Sequence, residues 1–405
     1  MKKFFLFSLA AVTVLAACSK IETVQSTQQV PISFSVLNHL QRTKATTGLE
    51  YPQSVPFGTF AWWTSDDWTG IAADQDYVFM NNEQISFASG VWAPATTYYW
   101  TKTGKITFAS YSPYVDASTA ASKGFSAVPT YDVTKGFLFP DYTVVSTTNV
   151  DLMFADLAAN CSKDYNKDGS LVYDGTTGDN GTDHGYAGVP TIFNHALCQL
   201  NFAFRAIGRM NPNVDRIVVD VTDVDIVNID NKGSFTQIPA NTTTPRWASD
   251  HNSTASYDFA PSTALSLTLI ENTATNVAAT DNYTSLGVSR ILLPQALGAD
   301  DDPTDATVDP ISSTTDQKLV VAYTIKIHYT SAPTDESDPK YWATESVTST
   351  VRLNNGTITN WADNQNITYR ISINPYATDV VTFDPAVVAW TDVYSADVNL
   401  NENDQ

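Results

Sequence analysis

The stretch Leu319-Val-Val321-Ala-Tyr323-Thr-Ile325-Lys-Ile327 places a large apolar side chain at every second position. Alternation with a period of two residues is typical of a β-strand that buries one face. Similar runs recur along the chain between Gly, Pro, Asn and Asp residues, and no long stretch shows the helical period of 3.6 residues. The sequence therefore predicts an all-β protein with a β-sandwich architecture.

The other alternating runs are spread over both halves of the chain. They lie at residues 32–36, 78–79, 85–87, 98–100, 106–108, 200–204, 217–221, 347–351 and 367–373. A chain of 405 residues has the length of two or three domains. The stretch 179–190, rich in Gly, Asp and Asn, is the predicted boundary between an N-terminal domain (43–190) and a C-terminal domain (191–380).

The charge of the chain excludes one class of partner. The formal net charge is −21, from 22 Lys and Arg against 43 Asp and Glu. Binding to nucleic acid, or to an anionic membrane through basic residues, needs clusters of Lys and Arg that this sequence lacks. We therefore expect no nucleic-acid partner.

The first residues have the pattern of an export signal. Lys2 and Lys3 precede an apolar run at residues 4–17, which is too short to span a bilayer. The run ends in Leu15-Ala-Ala-Cys18, the pattern of a bacterial lipobox. We expect residues 1–17 to be a lipoprotein signal peptide and Cys18 to carry the acyl chains that hold the precursor in the outer membrane. The alternative is an ordinary secretory signal with an incidental cysteine.

One loop resembles a cation site. Asp164, Asn166 and Asp168 occupy positions one, three and five of a segment with Gly169 at position six, as at the start of a calcium loop. Position twelve is Gly175 where a Glu is required. The alternative is a plain turn rich in Asx residues, and we predict no cofactor apart from this weak calcium candidate.

No motif for catalysis is found. His195 lies beside a predicted strand without a nucleophile at a recognisable spacing, so a structural histidine is expected, and we predict that the protein is not an enzyme. Cys161 and Cys198 are treated as free, although the sequence does not decide whether they pair. Five Trp residues fall before residue 101, and they indicate either core packing or a surface that stacks on sugars: Trp62, Trp63, Trp68, Trp92 and Trp100.

Four segments in this order resemble the fimbrillins, the lipoprotein precursors of the type V pili of Bacteroidales. They are Asp151-Leu-Met-Phe-Ala155, Phe193-Asn-His-Ala-Leu197, Leu292-Leu-Pro-Gln295 and the closing stretch from Trp361 to Ile373. The resemblance, which includes the lipobox, covers nearly the whole chain. It implies two transthyretin-like antiparallel β-sandwich domains in tandem.

The resemblance also implies removal of a first strand by an Arg-specific protease. In this sequence the strand is Ile32, Phe34 and Val36, and Arg42 is the only Arg between Cys18 and residue 200. Cleavage between Arg42 and Thr43 would release residues 18–42 as a propeptide and leave an open groove. Loss of the signal and the propeptide would change the net charge from −21 to −24.

An open groove invites a strand from another chain. The candidate donor is the C-terminal strand and tail, residues 381–405, with Val381, Phe383, Val387 and Trp390, and the alternative for residues 381–390 is a last strand of the domain itself. The partners expected are other fimbrial subunits, alike or different, and an unidentified ligand on a host or bacterial surface. The expected role is that of a stalk or tip subunit of a cell-surface fimbria. The alternative is a glycan-binding lipoprotein that stays anchored in the membrane.

Overall fold

The computed structural model describes residues 31–38, 51–69, 78–101, 104–145, 149–162, 188–249, 252–279, 282–298, 317–354, 356–375 and 381–389. For residues 37, 38, 277, 278 and 381–389 only the backbone is described. The predicted calcium loop, Cys18, Arg42, Thr43 and Trp390 lie outside the described residues.

Strands make up 57% of the described chain and helix 2%, which confirms the all-β prediction. The finer prediction of two transthyretin-like sandwiches in tandem stays a prediction. The strands are β1 (Phe34–Asn38), β2 (Phe57–Thr64), β3 (Val78–Ala88), β4 (Val91–Pro94), β5 (Lys105–Ser112), β6 (Thr130–Asp132), β7 (Gly136–Thr143), β8 (Met153–Ala155), β9 (Ala158–Cys161), β10 (Val189–His195), β11 (Cys198–Gly208), β12 (Val214–Asp230), β13 (Lys232–Thr236), β14 (Trp247–Ala248), β15 (Thr254–Asp258), β16 (Leu265–Thr268), β17 (Ile270–Glu271), β18 (Thr284–Leu292), β19 (Gln295–Ala296), β20 (Lys318–Tyr329), β21 (Ala343–Arg352), β22 (Asn360–Trp361), β23 (Gln365–Ile373) and β24 (Val381–Ala389). The one α-helix of the described chain is α1 (Ala274–Ala278), and Ala121–Lys123 forms a 3-10 turn.

The first sheet closes on itself. Its strands follow the order β2-β3-β4-β1-β10-β8-β5-β9, and β5 also pairs with β2 along seven residue pairs. Seven strands therefore form a ring, in which β1 lies between β4 and β10. A closed ring has no free edge, which removes the hydrogen-bonding groups that would otherwise attract another strand.

The second half of the chain forms two larger sheets. In one, β11 lies between the parallel strand β23 and the strands β17 and β18, and β24 pairs with β23 at the sheet edge. In the other, the long strand β12 pairs with β20, which pairs in turn with β21. Leu319, Val321, Tyr323 and Ile325 are buried, as the alternation in β20 predicts.

A further sheet joins strands from the two parts of the sequence. Its order is β14-β13-β7-β6, so that β7 in the first part pairs with β13 in the second. Two strands, β19 and β22, pair only with each other.

Two clusters of buried side chains stabilise these sheets. The smaller one fills the ring and includes Ile32, Phe34, Phe57, Trp92 and Phe108. The larger one contains residues of both halves and runs from the other face of β2 and β5 to β12, β20 and β23. None of its members comes from β1.

One predicted strand is wrong. The segment from Tyr98 to Trp100 forms only an isolated bridge between Tyr99 and Pro31. Its alternation is real, because Tyr98 and Trp100 both pack against the smaller cluster. The segment faces only the first residues of the chain before β1, so no ladder can extend beyond that bridge.

Candidate functional site

The candidate site is the first-strand slot, which is the space that residues 31–38 occupy between β4 and β10. With β10 the strand β1 forms a parallel ladder of five residue pairs, from Phe34 with Val189 to Asn38 with Phe193. With β4 it shares a single pair, Phe34 with Trp92. Strand β1 is therefore held by a continuous ladder on one side only.

Hydrogen bonds of the slot alternate from side to side. The Ile32 N–H donates to the Tyr98 carbonyl at 2.8 Å, and the Ser33 carbonyl accepts from the Val189 N–H at 2.7 Å. In a parallel ladder the odd-numbered residues of β1 therefore bond to β10, and the even-numbered residues direct their backbone groups towards β4.

The slot buries two of the three predicted side chains. Ile32 is 2% exposed and Phe34 is 3% exposed, whereas Val36 is half-buried. The Phe34 ring makes edge contacts with Phe57 and Phe108, at centroid distances of 5.6 and 5.7 Å. Phe34 is thus a central member of the smaller cluster.

Gly188 sets how closely β1 approaches β10. Its φ is +116°, and a Cβ atom there would lie 2.6 Å from the carbonyl carbon of Phe34 and 2.8 Å from the Ser35 nitrogen. Only glycine combines this φ with this contact. The sequence analysis missed Gly188, because a single Gly in a Gly-rich stretch carries no local signal of the contact.

Tyr51 anchors the chain on the far side of the predicted cleavage position. Its ring stacks on Phe193 at 4.9 Å, and its hydroxyl lies 2.6 Å from the Ser112 hydroxyl. Burial raises the pKa of Tyr51, so the phenol stays protonated and keeps this bond at any physiological pH. Departure of β1 would leave the chain from Tyr51 onward attached to the ring.

The candidate donor residues Val381, Phe383 and Val387 lie in β24, which is antiparallel to β23 over nine residue pairs. In the isolated chain this segment is therefore the edge strand of its own sheet. Donation to another copy requires β24 to leave β23.

The tryptophans give no support to a sugar-stacking surface. Trp62 and Trp92 are buried, and Trp63, Trp68 and Trp100 are half-buried against the two clusters. None of the five is exposed, so the observation on which the glycan-binding alternative depended is absent.

The remaining sequence candidates have structural surroundings. The Nδ1 atom of His195 lies 3.0 Å from an Asp151 carboxylate oxygen. Cys161 and Cys198 are buried and free, and burial raises the pKa of the Cys198 thiol, which keeps it protonated.

One acidic group was missed by the sequence analysis. Oxygens of Asp223, Asp225 and Asp258 lie within 4.8 Å of one another, which is the arrangement closest to a cation site among the described residues. Burial, and then the charges of the other two carboxylates, raises the pKa of Asp225. Their separation in sequence hides the group, because β12 and β15 bring it together.

The fold and the slot define an all-β protein whose N-terminal strand closes a ring that the rest of the chain would leave open. The chain belongs to the fimbrillin-like family, whose model matches residues 43–390. Within the described residues, no helix has both the length and the apolar character needed to cross a membrane. No curated protein sequence matches the chain.

Solved structures with a similar fold include a fimbrial protein from Bacteroides vulgatus ATCC 8482. It is 16% identical, with a TM-score of 0.53 over 89% of this chain and 99% of that one. A candidate cell adhesion protein from Bacteroides uniformis ATCC 8492 is 13% identical, with a TM-score of 0.42 over 89% and 99% of the two chains. The tip fimbrial protein Mfa3 from Porphyromonas gingivalis, with a C-terminal truncation, is 11% identical, with a TM-score of 0.30 over 83% and 94%. The family and the first of these structures agree with the fimbrillin resemblance and with a role as a fimbrial subunit.

Replacement of Phe34 by Ala is expected to lower the free energy of unfolding of the precursor by about 3–5 kcal/mol, because it empties the centre of the smaller cluster. Val36→Ala removes half-buried atoms and should cost about 1 kcal/mol. Urea unfolding measures both. The control is Val78→Ala, at an exposed position of β3. A loss for Phe34→Ala no larger than that of the control would show that Phe34 does not fill the slot.

Replacement of Gly188 by Ala tests the close approach of β1. A positive φ alone costs about 1–3 kcal/mol, and the contact with Phe34 adds to this cost. Gly287→Ala is the matched control, because Gly287 has a φ of +76° and no atom within 4 Å of its Cβ position. We expect a clearly larger loss of unfolding free energy at position 188. Equal losses would contradict the proposed contact.

Proposed function

We propose that this protein is a structural subunit, stalk or tip, of a cell-surface fimbria with a role in adhesion. Cleavage after Arg42 would remove β1, and the emptied slot would accept a strand from another subunit. The observation that carries this proposal is the slot itself, where Ile32 and Phe34 are buried while β1 shares one residue pair with β4. The family match supports it, since it begins at Thr43.

The precursor would reach the cell surface as a lipoprotein. In this proposal Cys18 carries the lipid, and the outer membrane holds the precursor until the protease acts. Cleavage after Arg42 would then release the subunit from its anchor and open the slot in one step, because both Cys18 and β1 precede Arg42.

An empty slot would bind a strand strongly. Each deeply buried apolar side chain contributes about 1.5–3 kcal/mol, so replacement of Ile32 and Phe34 alone would contribute about 3–6 kcal/mol. Backbone groups that β1 now pairs, such as the Val189 N–H and the Tyr98 carbonyl, would also regain partners. Together these terms favour a stable joint between subunits.

The start of β24 matches β1 in its residue pattern. Strand β1 and the residue pair before it read Ile32-Ser-Phe34-Ser-Val36, and β24 begins Val381-Thr-Phe383-Asp-Pro385. Aligned in this way, both segments alternate apolar and polar residues and carry Phe at the third position. We infer that Phe383 of one subunit takes the position of Phe34 in the next.

A proline in the donor is compatible with this register. Pro385 would take the position of Val36, whose backbone groups are directed towards β4 by the alternation of the ladder. Strand β4 reaches only as far as Phe34. A proline at this position therefore removes no N–H that the slot uses.

Pairing of β24 with β23 gives the free subunit a place to keep its donor. An unpaired apolar strand on a soluble subunit would promote aggregation. In this proposal β24 stays on β23 until an open slot of another copy competes for it. Head-to-tail exchange of this kind does not close on itself, so it builds a filament.

Treatment of the purified precursor with an Arg-specific protease is expected to cut after Arg42 and to produce an SDS-resistant ladder on gels and filaments in electron micrographs. Arg42→Ala should abolish the cut at this position and the ladder. Lys44→Ala is the matched control, because it removes a positive charge two residues away and leaves Arg42 intact. Unchanged filaments from Arg42→Ala would exclude Arg42 as the site.

Phe383→Ala is expected to leave cleavage unchanged and to weaken the ladder, because it removes the side chain that would fill the Phe34 position. The ladder should dissociate at a lower temperature in SDS than that of the wild type. Val388→Ala, which lies on the opposite face of an extended strand, serves as the control. If the two variants form equally stable ladders, the donor is not residues 381–385.

A further inference from the structure

A pocket of about 420 Å³ lies at the end of β11 that is remote from β10. It is lined by residues 208–212, which connect β11 to β12, and by Asn272 and Asn374. Asn374 directly follows β23. We call this site the Arg209 pocket.

Arg209 is the unpaired cation of the pocket. Of the seven arginines in the described chain, it alone has no hydrogen bond, ion pair or aromatic contact with another described residue. The lining residues include no carboxylate, although the chain has 43 Asp and Glu. A cationic pocket without an acid is therefore an exception on this acidic protein.

The lining fits a carboxylate ligand. A guanidinium binds a carboxylate through two parallel N–H bonds. The amide side chains of Asn272 and Asn374 add polar groups to the wall, and Met210, which is 40% exposed, adds an apolar surface. This combination suits an acidic peptide segment that carries a few uncharged residues.

The register of the proposed strand exchange indicates which segment comes near. Asn374 lies seven residues before Val381, so the two are at most about 25 Å apart. If Val381 takes the position of Ile32 in the next copy, it enters the slot beside Gly188 of that copy. Gly188 directly follows residues 163–187, which contain five aspartates: Asp164, Asp168, Asp174, Asp179 and Asp183.

We propose that the Arg209 pocket of one copy binds carboxylates of the 163–187 segment of the next copy. This inference rests on the proposed strand exchange. The contact aligns the two subunits before β24 enters the slot, and it raises the rate of assembly more than the stability of the finished joint. Complementary charges act mainly on encounter and orientation, and salt screens them.

The test is the rate at which the protease-treated chain forms the SDS-resistant ladder. Arg209→Gln should slow ladder formation about 3–10-fold at about 50 mM NaCl and have little effect at about 500 mM. A variant with the five aspartates changed to Asn should show the same loss. Lys340→Gln, at an exposed position between β20 and β21, removes the same charge elsewhere and should assemble at the wild-type rate. EDTA is present throughout, so that a cation bound by Asp164 or Asp168 does not contribute.

The combined variant decides between partners. If the pocket binds this segment, Arg209→Gln together with the five Asn changes is no slower than either change alone. Multiplied effects, or an Arg209→Gln variant as fast as the wild type, would overturn the inference while leaving strand exchange intact. Loss of binding to an acidic glycan in Arg209→Gln, with assembly unchanged, would overturn it in favour of a surface ligand. A wild-type chain that is cut after Arg42 and forms no ladder would instead contradict the proposed function.

Discussion

Burial of Phe34 between Phe57 and Phe108 is the interaction on which the ring depends. The seven strands have no free edge only while β1 lies between β4 and β10. Removal of β1 would turn a closed ring into an open groove with apolar walls. The strand that closes the ring also lies nearest the N-terminus and has a one-sided ladder, so a single cut in the chain is enough to free it.

The division of the core explains how the chain could lose this strand and keep its fold. The larger cluster contains no residue of β1 and joins β2 and β5 to the strands of the second half. The pairing of β7 with β13 links the same regions through backbone bonds. Tyr51 holds the chain to the ring just beyond the predicted cut. Loss of β1 therefore concentrates its cost in the smaller cluster, which is the part that a donor strand would restore.

Sequence reasoning predicted strands better than partners, for a physical reason. Alternation reports the burial of one face, so β20, β11 and β12 were predicted from their own residues. The pairing of β1 with β10 joins residues about 155 positions apart, and no local pattern encodes it. Gly188 and Tyr51 escaped notice because their roles arise from contacts across that distance. The segment from Tyr98 to Trp100 shows the converse error, since its pattern is that of a strand but it lacks a neighbour of sufficient length.

The charge of the chain divides the work of assembly between two kinds of contact. Each processed subunit would carry a net charge of −24, so like charges on neighbouring subunits oppose association at every distance that salt does not screen. A stable joint must then come from the apolar side chains that enter the slot, because their burial is indifferent to the net charge. An attractive electrostatic contact has value only where a cation is left unpaired. In the described chain that condition is met at Arg209, close to the point from which the donor strand would leave, so attraction would act where orientation matters most and repulsion elsewhere would keep filaments apart.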